Sequence, residues 1–542
     1  MPARQVLRRQ APATVCAGLP RRRRRQARRH RPCLSRRCAN HIGSTRMSKP
    51  ALSWQEWGRL DALALAELVR TRQVSAAETV AQAIAAARLL EPQLGAVLET
   101  FDDIASTPSA DGANPEGALW GVPLFIKDLG STIAGRLAEN GSALNKDKRS
   151  ARTDPLIANL HRAGLISVGR STTAELGMTY DTTTTYRGLK VTRNPWNLDY
   201  TPGGSSGGSA ALVAAGVTPL AHSTDGAGST RIPASLTGLI GLKVSRGRLP
   251  LPWSFNEYGN ATIGEGTFSR TVRDTAAFLD AAATDYPAGN SFVSSKSPTH
   301  TFASALQRAP GKLRIALSTG AWGRATACHA DIAARTRDVA AALQELGHEV
   351  EEIDDAIITD WNRFWPSFRT FWLGMRPAMW GLPYEDGIPP GLLEQLAPMT
   401  RKFWLNAQGY DKRDVLRHQA GNNAHALRLG EFFGKYDALL APAFAIPAPK
   451  ANGPFSLAND RDFDGYINEL LDAGRYAIPA SEAGLPAISL PAGKDANGIP
   501  VGVQLYAKWF EEARLLQLAA QLEASRPHWF NTTPPVHVGT LD

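Results

Sequence analysis

Hydrophobic residues along the chain follow two alternating patterns. Stretches with helical spacing recur at residues 76–90, 154–163, 331–346 and 512–522. Between them lie short apolar runs with strand character, at residues 124–126, 165–168, 313–317 and 438–440. Alternation of helices with fully apolar strands is typical of a sheet that is buried on both faces. The pattern therefore predicts an α/β fold with helices on both sides of a central sheet.

One aromatic-rich stretch, residues 361–384, stands apart from this pattern. Two interpretations stay open, because hydrophobic periodicity does not separate them: a helix buried in the core, or an apolar wall over a substrate pocket. The aromatic residues concerned are Trp361, Phe364, Trp365, Phe368, Phe371, Trp372, Trp380 and Tyr384.

The first 46 residues carry most of the positive charge. They contain fourteen arginines, no lysine and no acidic residue, whereas the remaining chain has 46 basic and 50 acidic residues. Three interpretations stay open: sequence read in frame upstream of a true start at Met47, a targeting or disordered extension, or a basic arm that binds nucleic acid or anionic membrane. We predict a disordered extension at residues 1–46 and a folded body at 47–542 that does not bind nucleic acid.

The number of cysteines and the hydropathy of the chain indicate where in the cell the protein is expected. Cys16, Cys33 and Cys38 lie in the arginine-rich tail, and Cys328 is the single cysteine of the body. One cysteine forms neither an intramolecular disulfide nor a structural zinc site. No apolar run has the roughly 18–20 residues that span a bilayer. The sequence therefore predicts a cytoplasmic protein without a membrane partner.

A lysine that ends an apolar strand-like run is the first candidate for chemistry. The run reads Gly121-Val-Pro-Leu-Phe-Ile-Lys127-Asp128. A buried lysine has a lowered pKa and can act as a general base near neutral pH. The alternatives are a lysine that extends to the surface or pairs with Asp128.

Two glycine-rich segments supply serines. In Thr201-Pro-Gly-Gly-Ser205-Ser206-Gly-Gly-Ser209, four glycines surround two serines and allow backbone geometries that larger residues prevent. In Thr224-Asp-Gly-Ala-Gly-Ser229-Thr-Arg-Ile-Pro233, several backbone amides can point at one oxyanion, and the proline suits the first turn of a following helix. A phosphate-binding loop is disfavoured for the first segment because the Gly-Lys-Ser/Thr ending is absent. Alone, the second segment could equally be a structural turn.

Taken together, the three segments resemble the amidase signature family. A Gly-Gly-Ser-Ser-Gly-Gly block lies 24 residues before a second serine, measured from Ser205 to Ser229, and Lys127 occupies a Gly-x-Pro-x-x-x-Lys-Asp motif. Similarity continues in Arg193-Asn-Pro-Trp-Asn197, in Gly238-Leu-Ile-Gly-Leu-Lys243 and in the segments at 483–493 and 498–504. The resemblance covers about residues 50–530. It implies one domain with a large mixed sheet.

The resemblance also implies roles. Ser229 is the nucleophile. Ser205, held in a cis peptide, passes the proton of Ser229 to neutral Lys127. The backbone amides expected to form the oxyanion hole belong to Gly226, Ala227, Gly228 and Ser229. The implied partner is a small-molecule amide, with no metal and no organic cofactor; the oligomeric state stays open, a homodimer included.

The nucleophile loop departs from the commoner family pattern, because alanine stands at position 227 where glycine is usual. The segment 221–235 resembles the subgroup of the 6-aminohexanoate cyclic-dimer hydrolases. This resemblance implies a hydrophobic linear or cyclic amide as substrate, with the aromatic residues of 361–384 as candidate pocket walls.

Three alternatives to an amidase stay open at the level of sequence. The first is an amidotransferase A subunit that supplies ammonia in a transfer-RNA-dependent complex. The second is an α/β-hydrolase esterase, since residues 203–207 match Gly-x-Ser-x-Gly; it would use Ser205 or Ser206 with a histidine such as His418 or His425. The third is a catalytically silent binding protein on an amidase scaffold.

Overall fold

Strands and helices alternate along residues 50–252, 262–283 and 300–541, which the computed structural model describes. The predicted extension at 1–46 lies outside these ranges. The α-helices are Trp54–Arg59, Ala62–Arg70, Ala76–Leu94, Asp102–Ser106, Pro155–Arg162, Gly207–Ala214, Arg231–Thr237, Val272–Ala282, Phe302–Ala305, Ala330–Glu345, Trp361–Arg369, Arg376–Ala378, Pro390–Leu393, Pro398–Ala407, Lys412–Phe432, Phe463–Gly474, Ile478–Ala483, Glu512–Ser525 and Pro527–Phe530. The strands are β1 (Val97–Thr100), β2 (Pro123–Lys127), β3 (Ile166–Ser171), β4 (Thr183–Thr184), β5 (Lys190–Val191), β6 (Leu220–Asp225), β7 (Ile240–Lys243), β8 (Gly264–Ser269), β9 (Arg314–Leu317), β10 (Glu349–Glu352), β11 (Ala438–Pro442), β12 (Ala487–Lys494) and β13 (Pro500–Ala507).

The elements predicted from periodicity are present with shifted ends. The helix predicted at 76–90 continues to Leu94. Ser75 begins it with a capping box to Glu78, and Gly95, in the left-handed conformation, ends it. The four predicted strands correspond to β2, β3, β9 and β11.

Eleven of the described strands form one mixed sheet in the order β1-β3-β2-β6-β8-β7-β12-β13-β11-β9-β10. β2 runs parallel to both β3 and β6, whereas β6 pairs with β8 antiparallel, with Thr224 opposite Glu265. Lys127 is the last residue of β2 and Asp225 the last residue of β6. Parallel strands end at the same edge of a sheet, so these two residues lie at one edge.

Helices cover both faces of this sheet, as predicted. Along β11, Ala438 and Leu440 belong to one hydrophobic cluster, and Leu439 and Ala441 belong to a second. Successive strand residues point to opposite faces, so the two clusters pack on opposite sides. The described residues from Pro50 onward form a single compact unit.

Candidate active site

Ser205 is held in place by its backbone. It precedes the helix Gly207–Ala214, and the Gly204–Ser205 peptide bond is cis, which confirms that prediction. The Ser205 carbonyl accepts hydrogen bonds from the amide of Ala174 (3.1 Å) and the hydroxyl of Thr173 (3.0 Å). These contacts hold the backbone at Ser205, whose side chain is buried.

Lys127 meets the hydroxyl of Ser205 inside the protein. Its side chain is buried, with an exposed fraction of 1%. The Nζ atom donates to Oγ of Ser205 and to Oγ1 of Thr224, each at 2.8 Å. Both acceptors are neutral hydroxyls, so no carboxylate hydrogen-bonds directly to the amine. The predicted alternatives, a surface lysine or a pair with Asp128, are therefore wrong.

The surroundings of Lys127 favour its neutral form. Burial lowers the pKa of Lys127 well below its ordinary value, and the positive charge of Arg376 acts in the same direction. The negative charges of Glu265 and Asp225 oppose this effect without cancelling it. The amine can therefore lose its proton at a pH nearer neutrality than an exposed lysine can.

A second layer of polar groups orients Lys127. His222 accepts a hydrogen bond at Nδ1 from the Lys127 amide (3.3 Å), and its Nε2 contacts the carboxylate of Glu265. Glu265 also accepts from the hydroxyl of Ser131 at 3.0 Å. All of these side chains are buried. Because they join β2, β6 and β8, they hold the lysine at a fixed position.

Ser229 lies in the loop between β6 and the helix Arg231–Thr237, whose first turn contains Pro233 as predicted. Its exposed fraction is 5%, and its hydroxyl makes no hydrogen bond within the described ranges. The structure thus brings Lys127 and Ser205 into contact, whereas no hydrogen bond between described residues joins Ser205 to Ser229, although the implied proton relay needs one. Catalytic hydrogen bonds are often long without substrate and tighten in the complex.

Asp225 organises the backbone around Ser229. Its carboxylate accepts hydrogen bonds from the amides of Gly228 (2.7 Å) and Thr230 (3.2 Å). It also forms a buried ion pair with Arg231, with Nε and Nη2 each 2.9 Å from a carboxylate oxygen. Burial alone would raise the pKa of Asp225, but the charge and hydrogen bonds of Arg231 outweigh it and lower the pKa. Asp225 is therefore ionised and fixes the loop.

The amides of this loop require one correction. The Gly228 amide donates to Asp225, so it is already engaged and does not serve as a free oxyanion donor. Within the described residues, no hydrogen bond engages the amides of Gly226, Ala227 or Ser229. The free donors are therefore these three, rather than the full set that the sequence suggested.

The esterase alternative does not fit this geometry. Ser206 donates its hydroxyl to the Thr224 carbonyl (3.3 Å), and among the described residues no histidine hydrogen-bonds to that hydroxyl. His418 bonds to Ser367, and His425 bonds to Thr359 and to the Pro479 carbonyl. Neither imidazole hydrogen-bonds to a serine of the glycine-rich block.

The aromatic-rich stretch is mainly core. It forms the helix Trp361–Arg369 followed by one π-helical segment, Thr370–Met375. Stacked and edge-to-face contacts join its rings, for example Trp361 to Trp365. The buried aromatic residues are Trp361, Phe364, Trp365, Phe368, Phe371 and Trp372, whereas Trp380 and Tyr384 are partly exposed.

Within this stretch, directly after the segment Thr370–Met375, Arg376 extends to the site, and the sequence patterns did not predict it. Its guanidinium donates to the Leu176 carbonyl at 2.9 Å and lies 4.5 Å over the ring of Trp372. Burial lowers the pKa of Arg376 to about 10. A single arginine inside an otherwise apolar run, Phe-Trp-Leu-Gly-Met-Arg-Pro-Ala-Met-Trp, was the available signal.

Comparison with known proteins decides the family. The family model Amidase matches residues 78–516. The chain belongs to the amidase signature family. The chain is 33% identical over 507 residues to 6-aminohexanoate-cyclic-dimer hydrolase of Paenarthrobacter ureafaciens, a match that covers 90% of this chain and 98% of the relative. The similarity extends to the three-dimensional structure: a solved 6-aminohexanoate cyclic dimer hydrolase superposes with a TM-score of 0.80 at 29% identity, over 89% of this chain and 99% of the other.

This amidase also shares its fold with more distant proteins. A bacterial aryl acylamidase of the amidase signature family superposes with a TM-score of 0.73 at 24% identity, over 87% of this chain and 98% of that one. At that identity the likeness shows the fold alone. Among the helices in the described parts of the amidase, none has the length and apolarity needed to cross a membrane.

Proposed function

We propose that this amidase cleaves its substrate through a Ser-Ser-Lys triad of Ser229, Ser205 and Lys127. The observation that carries the proposal is the 2.8 Å contact between Nζ of Lys127 and Oγ of Ser205, in a site where burial lowers the pKa of the amine. A neutral amine beside a hydroxyl is a suitable base for activating a serine nucleophile.

The steps follow from these positions. Oγ of Ser229 attacks the amide carbonyl carbon while its proton passes to Ser205, whose own proton passes to Lys127. The tetrahedral intermediate collapses when the same chain returns a proton to the leaving nitrogen, which departs as an amine. Water then attacks the acyl-enzyme by the same relay and releases the carboxylic acid. Every proton taken up by Lys127 is returned, so the amine ends each half-reaction neutral.

The free amides of the nucleophile loop stabilise the negative oxygen of the intermediate. Gly226, Ala227 and Ser229 supply these donors in our proposal, and Asp225 keeps the loop in shape through Gly228 and its neighbours. Donors that are fixed before the reaction stabilise developing charge more than mobile water does.

We further propose hydrophobic linear or cyclic amides as the substrates. The support is the similarity to 6-aminohexanoate-cyclic-dimer hydrolase over nearly the whole chain, in sequence and in fold. The partner is then a small-molecule amide. In the same proposal, residues 47–542 form the catalytic unit and work in the cytoplasm without residues 1–46.

The test combines a covalent probe with single variants. A fluorophosphonate should label Ser229, and S229A should abolish both labelling and amide hydrolysis. S205A and K127M should each lose about a thousandfold or more in kcat, since relay members act as a unit. S206A is the matched control, because the Ser206 hydroxyl donates to the backbone carbonyl of Thr224, and it should retain labelling.

Other outcomes would replace this proposal. Labelling lost in S206A but kept in S229A would overturn the assignment of the nucleophile. Purified protein that neither reacts with the probe nor hydrolyses any amide would indicate a silent scaffold. Copurification of a second protein chain together with glutaminase activity would indicate a component of an amidotransferase.

A further inference from the structure

Arg376 is a buried cation without a counter-charge. Its exposed fraction is 7%, and no carboxylate in the described part of the chain forms an ion pair with it. Other buried arginines at this end of the sheet are paired, Arg231 with Asp225 and Arg170 with Asp128. A charge inside a protein is costly unless it is paired or hydrogen-bonded.

The guanidinium of Arg376 faces the reacting groups. A Cβ atom placed on Gly177 would lie 3.0 Å from Nη2 of Arg376 and 3.3 Å from Oγ of Ser205. One placed on Gly226 would lie 3.4 Å from Nη1 of Arg376. The cation therefore borders both the proton relay and the first amide of the nucleophile loop.

The ring beneath the guanidinium carries an unsatisfied donor. Trp372 is buried, and its indole Nε1 has no hydrogen-bond partner in the described residues. Buried polar atoms in proteins nearly always have partners, so an orphaned donor calls for an explanation. Here the unsatisfied donor belongs to the ring over which the unpaired cation lies.

We propose that Arg376 is a specificity-determining residue that binds a carboxylate on the substrate. The inference rests on the proposed amide hydrolysis and narrows the proposed substrates to linear amides whose otherwise apolar chain carries a carboxylate within a few atoms of the scissile bond. A guanidinium presents a planar fork that matches a carboxylate in two parallel hydrogen bonds. For a guanidinium as buried as that of Arg376, such a pair is stronger than in bulk water.

The carboxylate could stand on the acyl side or on the amine side of the scissile bond. Arg376 borders both the oxyanion loop and the relay that serves the leaving nitrogen, so the experiment has two arms. The acyl arm compares glutaramate with pentanamide, in which a methyl group replaces the carboxylate. The amine arm compares N-acetyl-β-alanine with N-propylacetamide.

The readout is the ratio of kcat/KM between the charged and the neutral member of each pair. A ratio is needed because the charge of Arg376 also lowers the pKa of Lys127, so R376Q will slow every substrate. That common effect cancels in the ratio. R369Q is the control, because Arg369 lies seven residues earlier, at the end of the helix Trp361–Arg369, and contacts Asp464 and Asn468 near the surface.

In at least one arm, wild type should prefer the charged substrate, and R376Q should reduce the ratio by about thirtyfold or more. R376K should give an intermediate ratio, since lysine keeps the charge without the fork. R369Q should leave the ratio unchanged. If R376Q does not fold, the comparison of wild type with R376K decides in the same way.

Two results would overturn the inference, and only the second would also overturn the proposed triad. A wild-type preference for the neutral member in both arms, or ratios equal in wild type and R376K, removes the role of Arg376. Hydrolysis of pentanamide and labelling of Ser229 would still support the proposed triad. Absence of both hydrolysis and labelling would overturn the triad and the inference together.

Discussion

Substitution of Asp225 by asparagine tests whether one buried carboxylate shapes the nucleophile loop. Asp225 and Arg231 are exposed by 1% and 0%, and the carboxylate also accepts the amides of Gly228 and Thr230. Removing one partner of a buried pair costs about 3–5 kcal/mol, because the other charge stays buried. Asparagine keeps one acceptor oxygen, so we expect D225N to lower the free energy of unfolding by about 3 kcal/mol.

Urea unfolding measures this loss, and the rate of fluorophosphonate labelling of Ser229 measures the state of the loop. D338N is the matched control, because Asp338 pairs with Arg335 on the surface and such pairs contribute little. D225N should unfold at lower urea concentration and label more slowly, whereas D338N should resemble wild type in both assays.

The pH dependence of stability gives an independent check on D225N. Folding lowers the pKa of Asp225, so its contribution is present above the unfolded pKa of about 3.9 and is lost as pH falls toward the folded pKa. The difference in unfolding free energy between wild type and D225N should therefore shrink in acid. An unchanged urea midpoint with normal labelling would refute the role given to Asp225.

Three further predictions concern the relay. The kcat of wild type should rise with pH through the folded pKa of Lys127, because that pKa is lowered and the neutral amine is the base; a flat pH–rate profile would contradict this. The negative charge of Glu265 raises the pKa of Lys127, so E265Q should lower that pKa further and move the rise of kcat to lower pH. A move to higher pH would contradict the role of Lys127 as the base. G177A should lose most activity, because its Cβ would lie 2.6 Å from a side-chain atom of Leu129 at a backbone φ of +70°. The control is G430A, whose Cβ meets nothing within 4 Å; this helical substitution should raise the free energy of unfolding by roughly 0.5–1 kcal/mol. Activity and thermal unfolding of both glycine variants measure this contrast.

The sequence predicted the parts of the site that depend on local composition. Lys127 ends a fully apolar run, and that run is a buried strand. The glycines around Ser205 and Ser229 marked loops with unusual backbone geometry, and both loops lie at the edge of the sheet where β2 and β6 end. Because these signals are contiguous in the chain, they could be found without any structure.

Other features depend on contacts between distant segments, which no local pattern encodes. Arg376 bonds to Leu176, 200 residues earlier in the chain. The Gly228 amide turns to Asp225 because Gly228 has a φ of +117°, and a run of small residues does not specify that rotation. His222 and Glu265 meet only because β6 and β8 are neighbours in the sheet.

The route by which Arg376 enters the site constrains how this enzyme can diversify. Lys127, Ser205 and Ser229 come from one stretch of about a hundred residues, whereas Arg376 is delivered by a separate aromatic segment. Grafting another segment at that position would remove the residue that we propose to bind the substrate carboxylate. It would also remove the positive charge of Arg376, which helps to lower the pKa of Lys127, so each graft would change that pKa. On this proposal, substrate selectivity and the basicity of Lys127 would change together.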